Sequence, residues 1–197
     1  MSHVEAETVG RPAHWAEAAA VVAADPGGPP SPGERTAVVD CGTSLHVAQA
    51  QAQLREHGGQ GETDARTALT GPLPEALIDA AEVAFLGAGW SGGLANEAAP
   101  RRRKAALLWS EAHSAVEFRH GSIGIAAPDT ASWMPGAALD GLADQVRDTG
   151  AHPVESRFDP VAEPLRVHWP SVVRATARDR DPDGPRHLTR SVNLAAA

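Results

Sequence analysis

Ala84-Phe85-Leu86-Gly87-Ala88-Gly89-Trp90-Ser91-Gly92-Gly93 is an apolar run that breaks into a loop of small residues. Glu82-Val83 precede it, and an Ala-rich stretch runs from Leu94 to about Trp109 beyond it. A short apolar run bounded by glycines reads as a buried strand, the small-residue loop as a turn and the Ala-rich stretch as a helix. Thr36-Ala37-Val38-Val39-Asp40 starts the same pattern upstream, with Cys41-Gly42-Thr43-Ser44 as its loop and a helix to about Glu56. Two such units predict an α/β protein with a parallel sheet and helices on both faces.

The same patterning predicts further elements. A helix from about Pro12 to Ala24 precedes a Pro/Gly linker over Asp25–Gly33. A third strand is expected in Ile123–Ala127. Leu139, Leu142, Ala143 and Val146 share one face of a helix from Leu139 to Thr149, with Gly150 at its C′ position. His152–Phe158 reads as a strand and Trp169–Ala177 as a last helix.

The chain has 197 residues, 42% hydrophobic and 21% charged, enough for a real core and against wholesale disorder. Its one cysteine, Cys41, excludes an internal disulfide and a Cys-based zinc cluster. A net charge of −8 offers no general attraction for nucleic acid or an anionic membrane. With 4% aromatics and no Tyr, a base-stacking platform is not expected. No apolar run approaches the ~20 residues of a membrane span. Glu5 and Glu7 stand where a signal peptide would be basic, so the expected compartment is the cytoplasm.

Several groups could carry chemistry. Gly87-x-Gly89-x-x-Gly92 matches the dinucleotide fingerprint and opens a helix, where backbone N–H groups can meet a phosphate. Trp90 sits in that loop where phosphates need room, and Glu111 is the only acid at about the right separation for a ribose. No nicotinamide, flavin or other cofactor is therefore expected. Gly89 and Ser91 remain ligand-binding candidates, as do Cys41, Gly42, Thr43 and Ser44, whose hydroxyls and N–H groups suit a phosphate or a sugar oxygen. A helix cap is the plainer reading of Thr43 or Ser44. Glu97, Glu111, Glu117 and His120 lie close in sequence, and carboxylates with a histidine make an acid/base set. His113 and His120 have no metal-ligand spacing, so no metal is expected. The basic run Arg101-Arg102-Arg103-Lys104 is expected to be a solvated helix face.

Taken in order, these pieces resemble the sugar isomerase (SIS) domain family. The resemblance rests on Cys41-Gly42-Thr43-Ser44, Phe85-Leu86-Gly87-Ala88-Gly89, Glu97-Ala98-Ala99, Ser110-Glu111-Ala112, Glu117-Phe118-Arg119-His120-Gly121 and the tail Pro185-Arg186-His187-Leu188-Thr189-Arg190-Ser191-Val192. It implies a doubly wound, flavodoxin-like α/β sheet in a truncated SIS domain, binding of phosphorylated sugars, aldose–ketose isomerisation and a homodimer. It assigns sugar and phosphate contacts to the first loop and ring opening to His120. Lys104 stands where the resemblance places a proton-moving glutamate, and Arg190 where it places a lysine. Ser122 replaces the usual proline after His-Gly. Pro100 falls inside the helix, at a cost of ~3 kcal/mol or a kink.

Only residues 45–86 separate Ser44 from Gly87, whereas a complete α/β half takes ~100 residues. The organisation expected is a remnant of a first SIS half over residues 1–67 and a second half with its tail over residues 68–197. The expected function is a sugar or sugar-phosphate binding, isomerase-like protein with a degraded phosphosugar site. His120, Glu97 and Glu111 are its catalytic candidates, with Lys104 and Arg190 among the ligand contacts. The alternatives are an acid/base enzyme on another small polar substrate and a non-catalytic assembly partner.

Overall fold

A computed structural model describes residues 2–24, 75–156 and 163–188. The first expected βα unit, including Cys41, Gly42, Thr43 and Ser44, lies outside the described residues, as does Arg190. The described chain forms α1 (His3–Ala24), α2 (Glu75–Asp79), β1 (Glu82–Gly87), α3 (Ser91–Ala106), β2 (Trp109–Ser114), α4 (Ala115–Phe118), a 3-10 turn (Ser122–Ile125), β3 (Thr130–Met134), α5 (Leu142–Asp148), β4 (His152–Glu155) and α6 (Glu163–Ala177).

The four strands are all parallel, in the order β2-β1-β3-β4. The α/β, doubly wound, flavodoxin-like expectation is met. Strand alternation divides the core in two. Val83, Phe85, Ala131 and Trp133 point to one face and pack with Leu77, Ala95, Ala98, Ala99 and Val167 from α2, α3 and α6. Ala84, Leu86 and Met134 point to the other and pack with Phe118, Leu142 and Val146. α1 packs against α6.

Three expectations are corrected. The helix after the glycine loop ends at Ala106 rather than near Trp109. Leu107 turns left-handed at φ 51°, and Trp109 opens a strand. The strand expected at Ile123–Ala127 is a 3-10 turn, and β3 begins at Thr130, beyond Pro128. The basic run is only half a solvated face: Arg103 and Lys104 are exposed, but Arg101 and Arg102 turn inward. Arg102 is 1% exposed and donates to Leu77 O at 2.5 Å, Arg101 bonds Glu97, and Arg103 donates to Ser110 O.

Arg102 and Arg174 converge on the last carbonyls of α2, Leu77 O and Ile78 O. Those carbonyls have no partner inside a five-residue helix, so the guanidiniums complete it and favour its negative end. Burial, then the charge of Arg174, pushes Arg102 down to about 10. Helix α3 runs through Pro100 unbroken. Ser110 Oγ donates to Ala99 O at 2.8 Å, tying the start of β2 to that turn.

Candidate functional site

Two features of the α3 entry set its shape. Gly87 closes the strand-to-helix turn, where an added Cβ would lie 2.5 Å from Gly92 Cα and Ser91 O. Ser91 Oγ accepts from Ala88 N–H and donates to Ala88 O, both at 2.9 Å, so its hydroxyl closes its own loop. Gly89 is exposed at φ +56° in open space. The loop stands at the carboxyl end of β1, where the strand order reverses and where open α/β sheets usually bind ligands. Trp90 covers that crevice. Its ring lies against Gly136 after β3, so that a Cβ there would be 2.9 Å from Trp90 Cζ2. Of the fingerprint glycines only Gly87 is required by close contact, and the indole lies against Gly136 instead.

The more unusual chemistry lies along α3. Glu97 is 1% exposed. Arg101, one turn on, donates its Nε–H to Glu97 Oε1. Glu97 Oε2 is buried with no hydrogen-bond partner among the described residues. Arg11 of α1 feels the charges of Arg101, Glu7 and Glu97, and burial lowers it further than any of them. His168 of α6 is buried, its Nδ1 also without a partner among the described residues. Burial, then the charges of Arg11 and Arg101, pushes it down to about 4. Three helices thus hold two guanidiniums, a neutral imidazole and a half-satisfied carboxylate together. A buried acceptor left unmade costs ~1–3 kcal/mol, more for a charged group. Such a cluster suits a ligand with a hydroxyl or amine for Oε2 and an anion for the guanidiniums.

The other sequence candidates fall elsewhere. Lys104 is exposed near the far end of α3, ~20 Å along the axis from Ser91. His120 is exposed in the turn after α4, its backbone N–H bonded to Glu117 O at 2.9 Å. Glu111 does not bond His120. Its carboxylate takes Trp109 Nε1–H at Oε1 and His113 Nε2 at Oε2, each at 3.1 Å. His113 Nδ1 in turn faces Ser122 Oγ at 3.4 Å. Glu82 borders this group, and burial with the Glu111 charge raises its carboxyl.

Sequence reasoning missed Arg11 and His168, weighed His113 only as a metal ligand, and named Ser122 only as a replaced proline. Arg11 and His168 are single polar residues in helices distant in sequence, and no spacing links them to Glu97. His113 carried a signal, since Glu111 and His113 two apart on a strand share a face. Among the described residues no group of three or more His, Cys, Asp or Glu could hold a metal ion. No described helix is long and apolar enough to cross a membrane.

No protein-family model and no curated protein matches the sequence. Solved structures do. A glucosamine-6-phosphate deaminase from Thermotoga maritima superposes with a TM-score of 0.57 at 21% identity, over 82% of this chain and 60% of that one. The chain has a sugar isomerase-like fold. Also similar are the C-terminal domain of glucosamine-fructose-6-phosphate aminotransferase from Francisella tularensis and tagatose-6-phosphate ketose/aldose isomerase from Escherichia coli. Their TM-scores are 0.49 and 0.43, with 16% and 15% identity, over 72% and 78% of this chain and 44% and 49% of theirs. The chain thus spans 60% of the length of the first of these structures and less of the others.

Proposed function

We propose that the chain binds a sugar or sugar phosphate at the α1–α3–α6 cluster, on an isomerase-like scaffold with a reduced phosphosugar site. One observation carries this reading: the buried Glu97 Oε2, without a partner among the described residues, beside two guanidiniums. A sugar hydroxyl or amine donates to Oε2, and a phosphate or ring oxygen accepts from Arg11 and Arg101. Cys41–Ser44 and Arg190 stay ligand-binding candidates on the sequence alone. The first of the similar structures is a glucosamine-6-phosphate deaminase, which makes a phosphorylated amino sugar the first ligand to try.

The reading is ligand binding without glutamate-dependent isomerisation. Lys104 occupies the position that the resemblance gives to the proton-moving glutamate, and an exposed ammonium cannot act as that base. Glu97 is held by Arg101, which favours an acceptor's role over a proton carrier's. His120 and Glu111 remain the acid/base candidates for any turnover. A homodimer belongs to the same reading.

A thermal-shift panel of hexose phosphates, amino-sugar phosphates and unphosphorylated sugars tests it. Stabilisation by at least one, lost in Arg101→Met, is expected. Silence across the panel overturns the reading.

A further inference from the structure

We propose a second site on the opposite face of the sheet, where Ser122, His113 and Glu111 form a hydrolytic relay for small acyl esters. Register places Glu111 beside Ala84 and His113 beside Leu86, the face away from α3. Glu111, an acceptor only, is held by Trp109 Nε1–H at Oε1, and its Oε2 faces His113 Nε2 at 3.1 Å. The proton of the neutral imidazole therefore sits on Nε2. Nδ1 keeps its lone pair, aimed at Ser122 Oγ 3.4 Å away. Phe118, with ring centroid 5.6 Å from that of His113, packs the imidazole from the side. This is the nucleophile, base and orienting-group logic of covalent catalysis, with a nucleophile–base distance at the loose end that unliganded sites show.

Access is also present. Ser122 and His113 are only partly buried, and both Gly121 and Gly124 have open space where a side chain would stand. On the far side of Phe118, which packs on His113, lies a small cleft whose lining includes Glu82, Ala84, Ile125 and Thr130. That space holds about one water molecule, so the acyl group of an ester would lie at the open surface beside Gly121 and Gly124.

The step balances with water as the only co-reactant. Ser122 Oγ bonds to the ester carbonyl carbon as its proton passes to His113 Nδ1. The bond to the leaving alcohol breaks, and the alcohol takes that proton, leaving acyl-Ser122. Water, deprotonated by the same nitrogen, releases the carboxylic acid and restores the hydroxyl. Glu111 acts as a positioning residue, holding the tautomer and stabilising the imidazolium.

The test uses p-nitrophenyl acetate and a fluorophosphonate probe on the full chain. Saturable hydrolysis above buffer is expected, with the label mapped by peptide mass spectrometry to Ser122. Ser122→Ala and His113→Ala should each cost about a hundredfold or more. Glu111→Gln should lower kcat at unchanged KM, and Glu111→Asp should recover part of it. Ser114→Ala, a neighbouring helix-cap serine, should keep the wild-type rate. No hydrolysis by the wild-type chain, a label on another residue, or a folded Ser122→Ala at full rate overturns the proposal. Mapping the label on the wild-type chain decides the matter even if a variant fails to fold. Ester hydrolysis with no response to any sugar would support this site and remove the other.

Discussion

Arg101 holds one oxygen of Glu97 across a single turn of α3 and leaves the other, Oε2, buried and free among the described residues. The pair is satisfied on one side only. Removing the carboxylate strands a guanidinium in a cluster that already contains Arg11. Glu97→Ala should therefore destabilise the fold by about 3–5 kcal/mol, read by urea denaturation. The double variant Glu97→Leu/Arg101→Met should recover most of that, because a packed apolar pair leaves no uncompensated charge. A double variant as unstable as the single one would deny the electrostatic cause.

His168 gives the fold an acid limit. Its pKa is about 4 when folded against 6.5 for the free side chain. The unfolded chain therefore binds more protons between those values, and stability rises with pH there. The contribution is fully present above pH ~6.5 and is lost as pH falls towards ~4, a change on the order of a few kcal/mol. Urea midpoints at pH 7 and pH 4.5 should separate for the wild type and draw together in His168→Leu. An equal separation in both would assign the acid sensitivity elsewhere.

Gly136 has φ +81°, and Trp90 occupies the space beside it. Gly136→Ala meets both a left-handed backbone and a ring contact, and should cost about 1–3 kcal/mol by thermal or urea unfolding. Added to Trp90→Ala, the same substitution should cost less, since the ring contact is gone and only the backbone strain remains.

Arg102 completes α2 from inside the core. Arg102→Met keeps most of the apolar stem but leaves Leu77 O without its donor, an expected loss of about 1–3 kcal/mol. Lys104→Met, on the exposed part of the same run, should change stability by less than ~0.5 kcal/mol. Equal losses from the two would contradict the buried role of Arg102.

Much of the sheet was legible because β1 combines an apolar run with a glycine turn, and local rules govern both. The strand β2 was not. Trp-Ser-Glu-Ala-His-Ser comes after a good helix former without a break, and its stop signal is Leu107 in a left-handed conformation that a leucine does not advertise. The basic run misled because its partners, Leu77 O and Ser110 O, are backbone atoms with no sequence signature. Glu97 was legible as a candidate through the resemblance, but its setting comes from Arg11 and His168 on helices brought together only by folding.

Calorimetric titration with glucosamine 6-phosphate, on the wild-type chain and on Glu97→Gln, tests the sugar-binding reading most directly. Glu97→Gln keeps the shape and an acceptor oxygen but removes the charge that binds a hydroxyl or amine strongly. Saturable binding by the wild type, weakened about tenfold or more in a folded Glu97→Gln, is predicted. Equal affinity in the two proteins, or no binding by the wild type, would contradict it.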